Sequence, residues 1–163
     1  MIIKLSKMKH LKIGDQAPNF TSVDQEGNKV NLTDFTGKKV VIYFYPKDNT
    51  PGCTAQACNI RDNYDALLNE DIVILGVSAD DTSKHQKFSD KYDLPFTLLA
   101  DTERELLNLY GVWGEKKFMG KVYDGIHRTT FLLDEKHVIV RIIEKPKTKD
   151  HAREILDGFD RKN

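Results

Sequence analysis

The only two cysteines of the chain, Cys53 and Cys58, lie in one stretch, "YFYPKDNTPGCTAQACNIRD". Two thiols so placed are either inert and buried or a working redox pair. The nucleophile is the thiolate, and a free thiol titrates at about 8.5. Pro51 and Gly52 are turn residues, and helical spacing of apolar side chains follows them, so Cys53 is expected in or just before the first turn of a helix. Backbone N–H groups at such an end lack intrahelical partners and face the thiol. The helix end contributes at most about 2 kcal/mol, which leaves a thiol only about half ionised at neutral pH. A strongly activated thiolate needs a cation too, and Lys47, Arg61 and Arg128 qualify by charge.

Cys58 raises a geometric problem. Five residues along a helix amount to a rise of about 7.5 Å and a rotation of about 140°, whereas bonded cysteines have Cα atoms about 4.4 to 6.8 Å apart. A bridge between the two requires the first turns to unwind, and helix ends open at low cost.

The elements that must hold these residues follow from patterning. "KVVIYFYP" (39–46) and "DIVILGVSAD" (71–80) are continuous apolar runs, as expected of strands covered on both faces. Between them, Ala57, Ile60, Tyr64, Leu67 and Leu68 recur at helical spacing. A further helix is expected over 83–92, and "PFTLLAD" reads as a strand. "TERELLNLYG" carries a capping-box pattern at Thr102 and Glu105 and a stop at Gly111. "TTFLLDEKHVIVRIIE" reads as a hairpin turning at 134–137, "TKDHAREILDGF" as a C-terminal helix, and "FTSVDQEGNKVNLTDF" as an N-terminal hairpin turning at 26–28. The expected class is α/β, with a mixed central sheet that is antiparallel at one side.

At 163 residues with 39% hydrophobic content, the chain is expected to form one domain, preceded by an extra segment over 1–10. Twenty-five basic residues balance twenty-five acidic ones, which disfavours nucleic acid and anionic membranes as partners. The N-terminus lacks a continuous apolar core of a signal peptide, and no segment has the length of a membrane span, so a cytoplasmic protein is expected. Stable disulfides are rare in that compartment. The histidines, His10, His85, His127, His137 and His151, are scattered without zinc-ligand spacing. Trp113, Phe118, Met119 and Tyr123 read as a hydrophobic wall rather than a cofactor site.

Pro46, Thr50 and Cys53 in "PKDNTPGC" match the P-x-x-x-T-x-x-C motif of peroxiredoxins, and "TPGCTAQAC" closely resembles their PrxQ subgroup, also called bacterioferritin comigratory protein. "GDQAPNF", "GVSAD", "LLADTERELLNLYGVWGEKKFMGKVYDGIHRTTFLLD" and "HAREIL" extend the resemblance over most of the chain. It implies a thioredoxin-like fold, with helices on both faces of the sheet, and a monomeric thiol peroxidase acting on hydrogen peroxide and alkyl hydroperoxides without a cofactor or metal. By the same resemblance Cys53 is the peroxidatic thiol, which passes through a sulfenic acid. Thr50 holds the peroxide and contacts the thiolate, Pro46 shapes and shields the pocket, and Arg128 stabilises the thiolate and the breaking O–O bond. Cys58 is the resolving thiol of an intramolecular disulfide, recycled by thioredoxin or a similar dithiol protein. Gln56, where glutamate is frequent, and His127 depart from the commonest pattern without touching the motif.

Two other functions fit parts of the sequence. A general disulfide oxidoreductase could use the same thiols, although the spacing is C-x-x-x-x-C rather than C-x-x-C. A non-catalytic chaperone or interaction domain could share the fold.

Overall fold

A computed structural model describes residues 10–160. The extra segment read over 1–10 lies, apart from His10, outside the described residues. Five strands form the central sheet in the order β5 (Thr97–Ala100), β4 (Ile72–Ser78), β3 (Lys39–Phe44), β8 (Thr129–Leu133), β9 (Ile139–Glu144). β3 pairs parallel with β4 and antiparallel with β8, so the sheet is mixed and its antiparallel side is the C-terminal hairpin. β3 is central and covered on both faces, which is why its sequence is apolar without alternation.

The pleat sends alternate β3 side chains to two cores. Val40, Ile42 and Phe44 join one, with Phe20 and Val30 of the N-terminal hairpin β1 (Thr21–Val23) and β2 (Lys29–Asn31) and with Leu106 and Leu107 of α4 (Glu105–Leu109). Val41, Tyr43 and Tyr45 join the other, beneath α1 (Pro51–Asp62), α2 (Tyr64–Asn69), α3 (Thr82–Tyr92) and α5 (His151–Asp160). Helices therefore flank both faces, unequally. This is the thioredoxin-like arrangement. Among the described residues no helix is long and apolar enough to cross a membrane.

Three local readings are corrected. The helical run after Cys53 is two helices, interrupted at Asn63, whose side chain donates back to the Asn59 carbonyl and competes with helical continuation. The capping box at Thr102 and Glu105 does not form. Asp101, a residue earlier, accepts from the backbone N–H of Leu106 and Leu107, while Arg104 takes a left-handed conformation to start α4. The hydrophobic wall is instead a two-stranded ribbon, β6 (Trp113–Phe118) and β7 (Lys121–Ile126), turning through Met119 and Gly120 at positive φ. Of those four side chains Trp113 packs against the core, beside the buried Ile126 at the end of β7, while Phe118, Met119 and Tyr123 are exposed. The ribbon was masked by glycines and charges in "WGEKKFMGKVYDG", which break period-two alternation.

Candidate active site

After Phe44 the chain leaves the sheet. Tyr45 is still held by a bond from its N–H to the Val77 carbonyl, and Pro46, half-buried, turns the chain into the loop before α1. Thr50, in extended conformation, is the N-cap, Pro51 is the first helical residue, and the Thr54 N–H closes the first turn onto the Thr50 carbonyl at 2.8 Å. Proline at that position has no N–H to leave unpaired and a preset φ. Cys53 is thus the third residue of α1. It points inward, 1% exposed, into the core that contains Tyr43 and Ala57.

Of the three cations considered from the sequence, Arg128 meets the thiol. It lies between β7 and β8, and its Nη2 is 3.4 Å from Cys53 Sγ. Its Nη1 donates to Gln56 Oε1 at 2.6 Å. One planar guanidinium therefore contacts two residues a single helical turn apart. Gly52 permits the approach, because a Cβ there would stand 3.2 Å from Nη2. Arg61 is occupied with Asp62 and the Tyr92 carbonyl, and Lys47 is exposed.

Gln56, outside the motif, is fully buried and joins the site through Arg128. An amide has no signature in sequence; its partner is 72 residues away. Below Cys53, Tyr43 is buried, and burial first, then the neighbouring Cys53, push its phenol well above the usual tyrosine range. The ring fits because its strand neighbour is Gly76, where a Cβ would lie 2.9 Å from ring carbons. Tyr43 Oη and Gln56 Nε2 are buried without hydrogen-bond partners among the described residues.

Thr50 and Cys58 are both half-buried, as Pro46 is. The Thr50 hydroxyl donates to the Lys47 carbonyl at 2.9 Å, within the loop, rather than to Cys53. Cys58 is half-buried and lines an open groove with Asn49, Thr50, Pro51 and Tyr92. Both thiols are free, and α1 is continuous through them. Asp48, Asp80 and His85 bring three metal-type donors within 4.8 Å of one another. Asp48 Oδ2 and His85 Nδ1, however, are 2.6 Å apart, in a direct hydrogen bond. Two ligands of one tetrahedral zinc stand about 3.3 Å apart when each bond is about 2.0 Å.

The chain is similar to known proteins over most of its length. Residues 13–142 match the AhpC/TSA family. The chain is 50% identical to a putative peroxiredoxin bcp of Haemophilus influenzae over 92% of its own length and 97% of the relative's. It is 49% identical to peroxiredoxin Bcp of Escherichia coli, over 92% and 96%. Among solved structures, a PrxQ mutant of Xylella fastidiosa superposes with a TM-score of 0.86 at 31% identity, covering 93% of this chain and 96% of that one. The bacterioferritin comigratory protein of Xanthomonas campestris, studied for alkyl peroxide reduction, gives 0.80 at 34% identity, covering 85% and 88%. The chain belongs to the AhpC/TSA family, among the peroxiredoxins of the Bcp/PrxQ kind, and so is a thiol peroxidase.

Proposed function

We propose that Cys53 is the peroxidatic thiol and that hydrogen peroxide and alkyl hydroperoxides are its substrates. The observation that carries this is the Arg128 contact to a buried sulfur in the first turn of α1. The Cys53 thiolate attacks one peroxide oxygen, the O–O bond breaks, and the leaving oxygen takes a proton to become water or an alcohol. The sulfur is oxidised to sulfenic acid and the peroxide is reduced. Arg128, with a second N–H fixed on Gln56, stabilises charge on the sulfur and on the departing oxygen. Thr50, at the same helix entrance, orients the peroxide through its hydroxyl, and Pro46 walls the pocket.

Cys58 is the resolving thiol in this reading. Its sulfur displaces the hydroxyl of the sulfenic acid as water, giving a Cys53–Cys58 disulfide, and a dithiol protein such as thioredoxin returns both to thiols by exchange. The protein works as a monomer in a reducing cytoplasm and needs no metal or cofactor. Cys58→Ser tests the scheme: one equivalent of peroxide should be consumed, sulfenic acid should accumulate, and turnover with thioredoxin should stop. Full turnover in that variant contradicts the role of Cys58. Loss of peroxide consumption in Cys53→Ser, with Cys58 intact, is required.

A further inference from the structure

The loop of residues 46–50 is polar and mostly surface-facing, yet one of its members is driven inside. Asp48 is 8% exposed, although Lys47 and Asn49 on either side are exposed. Its Oδ2 meets Nδ1 of His85, fully buried on α3, at 2.6 Å, and its Oδ1 accepts from the Tyr45 hydroxyl at 2.6 Å. His85 Nε2 faces the Leu99 carbonyl of β5 at 2.9 Å. A carbonyl only accepts, so Nε2 carries a hydrogen. The other side of the ring then needs a proton between Nδ1 and the carboxylate, whichever atom holds it. The Asp48 N–H also donates to Asp80 Oδ2, which accepts from Ser78 as well. A second carboxylate thus sits beside the pair, and the lysines Lys47, Lys84, Lys87 and Lys91 line the adjoining cleft.

Burying a charged pair is a poor way to stabilise a fold, since apolar residues of equal volume do as well or better. A buried polar network whose members are all hydrogen-bonded rigidifies the segments it joins. Here it joins the loop two residues before Thr50 to a helix and a strand on the far side of β4.

We propose that Asp48 and His85 are positioning residues for the peroxide reaction: a buried pair sharing one proton that fixes the loop carrying Thr50 relative to Cys53. This rests on the reading of Cys53 and Thr50 above. The pair touches no reacting atom and acts through the placement of the Thr50 hydroxyl. Its effect is therefore on peroxide, which Thr50 orients, and not on thiol reactivity in general.

The test compares two rates for the reduced protein, Cys53 oxidation by hydrogen peroxide and Cys53 alkylation by iodoacetamide. The double variant Asp48→Ala with His85→Leu should lose at least about tenfold in the peroxide rate while alkylation changes less than about threefold. Asp48→Asn can donate to Nδ1 and still accept from Tyr45 without the shared proton, so its peroxide rate should stay within about threefold of the unaltered protein. A peroxide rate within threefold in the double variant, a parallel fall of both rates, or a tenfold loss in Asp48→Asn overturns the proposal. If the double variant does not fold, His85→Phe alone is read against the same limits, since it breaks the bond to Asp48 and leaves the loop sequence intact. Should the unaltered protein itself fail to react with peroxide, the assignment of Cys53 falls first, independently of the pair.

Discussion

Arg128 reaches across to α1 and holds Cys53 and Gln56 with the two ends of one guanidinium, at 3.4 Å and 2.6 Å. The bond to Gln56 fixes the plane of the group, so that its other N–H remains aimed at the sulfur. Lysine offers a point charge without that fork. Arg128→Lys should therefore slow Cys53 oxidation about a hundredfold, the scale of losing one oriented donor at a developing charge. Stopped-flow oxidation at fixed pH measures it; a loss under threefold means that charge alone suffices.

Gly52 separates activity from stability. Alanine is the better helix former by about 0.5–1 kcal/mol, but its Cβ would crowd Arg128 Nη2 at 3.2 Å. Gly52→Ala should unfold at the same or a higher temperature than the unaltered protein and react severalfold more slowly with peroxide. Unchanged kinetics would show that the guanidinium gives way without cost.

Disulfide formation requires α1 to open, and the helix is tied down at a definite point. Asn59 accepts from the Ala152 N–H at the start of α5 and donates to the Lys149 carbonyl. Opening should stop there. Oxidation should speed amide exchange over residues 54–62, whose N–H groups donate to the carbonyls of 50–58, and leave α5 protected. Equal protection in both redox forms would rule out unwinding.

His151 gives a pH dependence of stability. Burial lowers its affinity for a proton, against the opposing pull of Glu154, and a neutral ring fits its partners, with Nδ1 donating to Glu154 and Nε2 accepting from Thr130. Its folded pKa is depressed below the unfolded value of about 6.5. This contribution is fully present above that value and is lost as the pH falls below it, because the unfolded chain takes up a proton that the folded one refuses. Urea unfolding between pH 7.5 and 5 should show stability declining by up to about 1.4 kcal/mol per pH unit from this group. His151→Gln should flatten the decline; an unchanged slope would assign it to other groups.

The parts legible in sequence are those where local pattern and tertiary role coincide. The short β-branched apolar runs of β3 and β4 read as covered strands, and Pro51 followed by helical spacing reads as a helix start, so the place of Cys53 follows from its neighbours. Thr50 and Arg128 were named by resemblance, and the approach of Arg128 needed the fold to bring β8 beside β3. Gln56, and the pairing of Asp48 with His85, had no such signal. An amide or a carboxylate takes its role from a partner, and these partners are 72 and 37 residues away. The β6–β7 ribbon has no such signal either, because most of its side chains are exposed and carry no core pattern.

In the proposed cycle Cys53 reacts with peroxide and Cys58 resolves the sulfenic acid. Stopped-flow mixing of the fully reduced protein with hydrogen peroxide, followed by Trp113 fluorescence and mass-spectrometric mapping of the product, tests it directly. A reaction far faster than that of free cysteine, ending in a Cys53–Cys58 bridge, is expected. A rate no faster than free cysteine, with both thiols intact, would contradict it.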